Sequence, residues 1–81
     1  MNAEPVFVAA NNAEADEAER VLETAGLQYE SRFGVIERED YHGPCYQGTL
    51  YEVDASRAED CRRLLRESGL TKGLVSAKKS S

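Results

Sequence analysis

The chain has few of the residues that specialised chemistry needs. Its 81 residues include no Trp, one His, one Met, two Cys and two Pro. No segment approaches the run of about 18 apolar residues that a membrane-spanning helix requires. The first twelve residues, MNAEPVFVAANN, also lack a basic leader followed by an apolar run. We therefore predict a cytoplasmic protein without a membrane partner, whose two cysteines, Cys45 and Cys61, are reduced thiols.

Positive charge is also scarce. Ten Lys and Arg stand against 15 Asp and Glu, which gives a net charge of −5 and a pI near 4.8. Binding of nucleic acid is driven by clustered cations that displace counterions from phosphates. The composition therefore argues against a nucleic-acid partner and favours a protein or a small metabolite.

The sequence contains an internal repeat. AEADEAERVLETAGL (13 to 27) aligns with SRAEDCRRLLRESGL (56 to 70), so that Gly26 corresponds to Gly69 at an offset of 43 residues (69 minus 26). The preceding segments VFVAA (6 to 10) and TLYEV (49 to 53) align at the same offset. We interpret the chain as a single domain, residues 1–81, built from two β-α-β units at about 5–37 and 48–78.

Each copy has the pattern of an amphipathic helix. Asn11 with Glu14, and Ser56 with Glu59, have the spacing of a capping box. Gly26 and Gly69 stand where a left-handed residue ends a helix, each followed by a leucine that folds back onto it. The predicted buried stripes repeat every three to four residues: Ala18, Val21, Leu22 and Ala25 in the first copy, and Ala58, Cys61, Leu64 and Leu65 in the second. We expect Cys61 to be a core residue, because it aligns with Ala18 of the first buried stripe.

Strand patterns surround the two helices. Residues 6–8 and 49–53 favour β structure, residues 27–38 alternate with an irregularity expected at Gly34, and LTKGLVSAK (70 to 78) is the fourth strand by the repeat. The predicted order β-α-β-β-α-β gives an α+β, ferredoxin-like fold. This fold has a four-stranded antiparallel sheet, order 4-1-3-2, with both helices on one face.

A family resemblance follows from these units. VFVAANNAEADEAERVLETAGLQYE and LYEVDASRAEDCRRLLRESG carry an L-x-x-x-G-[IL] helix end and an acid-A-x-x-A helix start. In these motifs the chain resembles a family of small prokaryotic signal-transducing domains of unknown function, similar in topology to PII-like proteins. The resemblance implies a regulatory role and a partner-binding loop between strands two and three. The chain lacks the glycine-rich phosphate-binding stretch of PII-like proteins, so no nucleotide or other cofactor is expected.

That loop is REDYHGPCYQG (38 to 48), in which Asp40, Gly43 and Pro44 are typical of a turn. A hairpin connection explains the segment without any further role. Tyr41, His42, Cys45 and Tyr46 are nevertheless candidate binding residues, because loops on rigid scaffolds often carry function. His42 and Cys45 also have a chelating H-x-x-C spacing, although no full zinc ligand set is in sight. A thiol–histidine catalytic pair there would need an orienting group that cannot be named.

The predicted sheet leaves one face without helices. We expect Phe7, Tyr29, Phe33 and Leu50 to contribute to an interface on that face, because apolar residues there need a cover. The leading hypothesis is a non-enzymatic regulatory or binding domain, a homodimer, that recognises a protein or small metabolite through the loop and the sheet edge. The alternatives are a small-ligand sensor resembling ACT domains, which bind ligands at subunit interfaces, and a metal or thiol site at His42 and Cys45. No catalytic residue is predicted.

Overall fold

The described part of the chain forms two helices and three strands. The computed structural model describes residues 2–37 and 44–75, with side chains for all of these except 37 and 44–47. The elements in chain order are β1 (Ala3–Ala9), α1 (Asn12–Thr24), β2 (Tyr29–Glu37), β3 (Pro44–Asp54), a single 3-10 turn (Ala55–Arg57) and α2 (Ala58–Glu67). The α+β class predicted from the sequence is consistent with this order.

The sheet is antiparallel, and β3 lies in its centre. The strand order is β1-β3-β2. Side chains directly opposite each other in an antiparallel ladder share a face of the sheet. Tyr51 on β3 is fully buried and its hydroxyl donates to Glu19 on α1, so this face carries the helices. In the ladder, Tyr51 is paired with Phe7 on β1, and the two ring centroids lie 6.4 Å apart. The neighbouring β3 residue Leu50 points to the opposite, open face.

Both helices lie on that one face. α1 reaches the sheet through Tyr51, whereas α2 reaches it through Arg62, which bonds Glu4 on β1. Glu4 is paired in the ladder with Val53, which lies two residues after Tyr51 and therefore on the same face. The two helices thus cover one layer of the sheet and share a single core.

The predicted four-stranded sheet is wrong. Of the predicted strand 70–78, the structure describes residues 70–75, and these do not form a strand: residues 72 and 73 form a turn, and Leu74 makes one isolated bridge to Phe7 on the outer edge of β1. The reason lies in the sequence, because Thr71, Lys72 and Gly73 interrupt any apolar alternation and leave only Leu74 and Val75 to pair. The order 4-1-3-2 is accordingly replaced by β1-β3-β2.

The short C-terminal contact is nevertheless close. The amide of Val8 donates to the carbonyl of Gly73 over 2.8 Å, and the amide of Val75 donates to the carbonyl of Val6 over 2.9 Å. Gly73 is buried, and a Cβ on it would collide with the Val8 carbonyl and come within 2.8 Å of the Phe7 ring. A glycine is therefore required for this segment to approach β1.

The helix ends follow the predicted chemistry, with two differences. Gly26 and Gly69 have φ of 73° and 89°, and Leu27 and Leu70 donate back to Leu22 and Leu65 over 3.0 Å. Asn11 caps α1 by accepting from the Glu14 amide at 2.9 Å, but Glu14 accepts from Ala10 rather than from Asn11. The predicted Ser56 cap of α2 is wrong. Asp54 instead accepts from the amide and hydroxyl of Ser56, and this interaction starts the 3-10 turn.

The helices contribute residues of the predicted stripes to the core, with one charged addition, whereas Ala25 of the first stripe is exposed. Ala18, Leu22, Ala58, Cys61 and Leu65 are all buried. Arg62 is buried as well, at 4% exposure, although the sequence places it among the charged residues of α2. Its guanidinium donates to Glu4 (2.6 Å), to Glu59 (2.9 Å), to the Pro5 carbonyl (2.9 Å) and to the Val75 carbonyl. This side chain therefore joins β1, α2 and the C-terminal segment.

Candidate functional site

The predicted binding loop is shorter than the sequence suggested. β2 extends to Glu37 and β3 begins at Pro44, with these two residues paired in the ladder. Cys45 and Tyr46 therefore belong to the backbone of β3, where Cys45 is paired with Ile36. Tyr41 and His42 lie outside the described residues. A role for these four residues in binding, or of His42 and Cys45 in a metal or thiol site, stays a prediction.

The four predicted interface residues occupy different surroundings. Phe7 is 1% exposed and lies in the core beneath the helices. Tyr29 is half-buried against the same core, and its hydroxyl donates to Glu23 at 2.9 Å. Leu50 is half-buried on the open face, whereas Phe33 is 73% exposed on the helix-side face, opposite Thr49. The structure thus brings Tyr29 and Phe33 together on one strand and places Phe7 and Leu50 on opposite faces.

Among the described residues, the exposed large apolar side chains lie on β2, the edge strand. In the part of the chain that the structure describes, β3 is the only strand beside β2, so the outer edge of β2 has no strand partner. Phe33 is 73% exposed and Val35 is 62% exposed. We call the outer side of residues 29–35 the β2 edge.

The reason for this exposure is the length of the strands. β1 ends at Ala9, opposite Thr49, and α1 begins three residues later and runs back along the sheet. Phe33 stands level with Thr49, at the limit of the helix layer. Beyond it the described part of the sheet consists of β2 and β3, and the ladder is irregular between Gly34 and Ile36, close to the predicted position. The end of this two-stranded part therefore receives no helical cover.

Charged residues of both signs alternate with these apolar residues on β2. Glu30 and Arg32 are exposed and share the open face, since they are paired with Glu52 and Leu50. The Arg32 side chain is 71% exposed and lies 3.6 Å from the Glu52 carboxylate. Glu30 and Glu52 stand directly opposite each other, an unfavourable like-charge pair, so Arg32 partly compensates a local excess of negative charge.

An open groove adjoins the start of the β2 edge. It encloses about 620 Å³ and lies where β2 begins, β3 ends and the N-terminal residues pass. Its lining consists of Asn2, Ala3, Leu27, Gln28, Tyr29, Glu30, Glu52, Val53 and Asp54. The lining combines apolar side chains with carboxylates and amides, a composition suited to a small polar or cationic ligand.

Four titratable groups among the described residues have shifted pKa values. Cys61 is a core side chain, as predicted, and its burial raises the pKa of its thiol to about 11. Burial, followed by the hydrogen bond to Glu23, raises the pKa of Tyr29 to about 12. Burial and the bond to Glu19 raise the pKa of Tyr51 in the same direction. The pKa of Asp54 is lowered, chiefly by its bonds from Ser56. These groups serve packing in the core and capping of the 3-10 turn.

The sequence pattern alone did not indicate that Phe33 and Val35 form an exposed apolar surface at the sheet edge. The topology contained that signal, because the order 4-1-3-2 also leaves β2 outermost. Among the described side chains, no group of three or more His, Cys, Asp or Glu is placed to hold a metal ion.

The fold and the site define a small α+β domain with an open edge strand and an adjoining groove. Comparison with known proteins adds no identity: no protein-family model, no curated protein and no solved structure matches the chain. The resemblance to signal-transducing domains therefore stays a prediction. Within residues 2–37 and 44–75, neither helix is long and apolar enough to cross a membrane.

Proposed function

We propose that the chain is a non-enzymatic regulatory domain that binds a partner polypeptide at the β2 edge. The occupant is an extended segment carrying an apolar side chain, which adds to the sheet as a further strand. The single observation that carries this proposal is the coincidence of Phe33 and Val35, 73% and 62% exposed, with a strand that has no outer neighbour among the described residues. Edge strands present unpaired amides and carbonyls that accept such a segment.

The surroundings of the edge support protein binding over catalysis. Main-chain hydrogen bonds supply affinity in strand addition, and alternate side chains supply specificity. Apolar Phe33 and charged Glu30 and Arg32 lie on opposite faces of β2, so an incoming strand meets a different chemistry on each side. The domain is proposed to act in the cytoplasm, where a free buried thiol such as Cys61 is compatible with the reducing conditions.

Selection from displayed random 12-residue peptides would test the proposal. We expect enriched peptides to bind the unmodified domain. Their affinity for a Phe33→Lys, Val35→Lys variant should be at least tenfold lower, because the bound peptide would remove the charged lysine ammonium groups from water. The matched control is Ser68→Lys with Thr71→Lys, which adds the same charge at exposed positions. These lie after α2, near the other edge of the sheet. NMR should show chemical-shift changes along β2. Failure to enrich any peptide, or equal binding to both lysine variants, would contradict the proposal.

A small-ligand sensor is the second candidate, and the groove favours it. The groove of about 620 Å³ has the size of a metabolite site and lies along the start of the β2 edge. Thermal-shift screening of amino acids, amines and nucleotides, with Glu30→Gln and Asp54→Asn as groove variants, would distinguish it from peptide binding. A metabolite that raises Tm in the unmodified chain and not in these variants would favour the sensor.

A further inference from the structure

We infer that the strand that binds the β2 edge is β2 of a second copy of this chain. The two strands pair antiparallel about a two-fold axis at Ser31. This inference rests on the proposed function and names its partner. A two-fold axis within an antiparallel pair brings together residues whose numbers add to a constant. With Ser31 on the axis, that constant is 62, so residue 30 meets residue 32 of the other copy and residue 29 meets residue 33.

This register is complementary in charge. Glu30 of each copy stands opposite Arg32 of the other, and the pair occurs twice because of the symmetry. Both side chains are exposed and lie on the open face of the sheet. Opposite charges directly across an antiparallel pair are favourable, whereas like charges are not. Arg32, the single basic residue of the described β2, thus lies opposite Glu30 of the other copy. Within its own chain, Glu30 is paired with another carboxylate, that of Glu52 on β3.

The same register is complementary on the helix-side face. Phe33 of each copy stands opposite Tyr29 of the other, again twice. Phe33 is 73% exposed in the single chain, whereas Tyr29 is half-buried with its ring fixed by the bond to Glu23. An aromatic pair across two strands is among the favourable cross-strand contacts. The pairing therefore covers the largest exposed apolar side chain of the described residues with a ring that is already held in place.

Neighbouring registers are less favourable. Moving the axis by one residue sets Glu30 against Glu30 in one direction and Arg32 against Arg32 in the other, and like charges directly opposite each other are unfavourable. Axes at Phe33 or Gly34 extend the pairing through the irregular part of β2 between Gly34 and Ile36. The ladder is regular from Tyr29 to Gly34, so the axis at Ser31 keeps the residues from 29 to 33 within regular strand.

The resulting sheet has six strands, in the order β1-β3-β2-β2-β3-β1. Five to seven paired residues on each chain bury less surface than a standard interface. We therefore expect a weak dimer, with a Kd on the order of 10–100 µM. The groove beside Leu27, Gln28 and Tyr29 then adjoins the interface, since the partner's residues past the axis run along it.

Sedimentation velocity between about 5 and 500 µM would test this register with charge-swapped variants. We expect a monomer–dimer equilibrium for the unmodified chain. Glu30→Arg and Arg32→Glu should each weaken dimerisation at least tenfold, because each creates two like-charge pairs across the axis. The double variant should restore it. Glu67→Arg and Arg66→Glu, at exposed positions on α2, are the matched controls and should dimerise as the unmodified chain does.

Each result bears on the inference separately from the proposed function. A monomer at every concentration overturns it, and so does a dimer that the single swaps leave unchanged or that the double swap fails to restore. If the chain is monomeric while selected peptides still bind the β2 edge, this inference alone fails. If the chain neither dimerises nor binds peptides, both fail. Circular dichroism of each variant verifies that the fold is retained.

Discussion

Replacement of Arg62 by methionine should destabilise the domain far more than the same change at Arg63. Arg62 is 4% exposed and donates to two carboxylates and two backbone carbonyls. Methionine keeps the apolar stem and removes every donor. Arg63, the next residue, is 62% exposed and pairs only with Asp60 on its own helix. The two variants therefore differ in burial and in bonding but not in chemistry.

The magnitude can be worked from the four acceptors. Glu59 and Glu4 are 81% and 31% exposed, and water can replace the lost cation, so each pair contributes about 0–1 kcal/mol. The carbonyls of Pro5 and Val75 lose a charged donor, a bond that contributes about 1.5–3 kcal/mol. Since Val75 lies near the surface, part of its loss is recovered by hydration. We expect Arg62→Met to lower the free energy of unfolding by about 2–4 kcal/mol.

Urea unfolding at pH 7, followed by circular dichroism, would measure this difference. A domain of 81 residues has a total stability of about 4–12 kcal/mol, so the Arg62 variant should unfold at much lower urea or be partly unfolded without it. Arg63→Met should change the free energy of unfolding by about 0.5 kcal/mol or less. Buried ion pairs in other proteins are sometimes replaced by apolar residues without loss. Equal free energies of unfolding for the two variants would show that methionine replaces Arg62 without loss. The hydrogen bonds from Arg62 to the carbonyls of Pro5 and Val75 would then contribute nothing to stability.

Two further predictions concern pH and the C-terminal contact. The pKa of the Cys61 thiol is raised from its ordinary 9.0 to about 11, and those of Tyr29 and Tyr51 are raised above 10. Because the unfolded chain loses these protons at lower pH than the folded chain, the free energy of unfolding should be retained below pH 9 and should fall as the pH rises from 9 to 11. Urea midpoints that stay constant over this range would refute this prediction. Gly73→Ala should lower the free energy of unfolding by about 1–3 kcal/mol, because the added Cβ collides with β1. Gly34→Ala is the control, because a Cβ at residue 34 meets nothing within 4 Å. Similar Tm values for the two variants would contradict the close contact between Gly73 and β1.

Most of the helical layer follows from the sequence because its signals are local. The stripe containing Ala18 and Leu22 predicts the buried face of α1, and the two glycines with positive φ predict the helix ends. The start of α2 is an exception: Ser56 and Glu59 have capping-box spacing, but Asp54 accepts from Ser56 first. Two overlapping caps compete for the same amides, and spacing alone does not indicate which one wins.

The sheet was less predictable because pairing is not local. The repeat predicts a fourth strand at residues 70–78 by analogy with β2, but a strand also needs residues that pair and pack. At the aligned positions, β2 carries Phe33 and Val35, whereas the C-terminal segment carries serine and lysine from residue 76 onward. The repeat thus preserved the helix and its glycine but not the strand that follows.

The repeat also explains why a buried arginine occurs on α2. Arg62 aligns with Glu19 of α1 at the offset of 43 residues, and each is a polar side chain on the sheet side of its helix. Glu19 accepts from the Tyr51 hydroxyl at 2.7 Å, and Arg62 donates to Glu4 at 2.6 Å. Each copy therefore has, at the same aligned position, a hydrogen-bonded polar group that attaches its helix to the sheet. The two copies differ in sign because α1 meets a donor on β3, whereas α2 meets a carboxylate and the carbonyls beside β1. A charge at this position is thus part of the attachment of helix to sheet, and its burial follows from the aligned positions of the two helices.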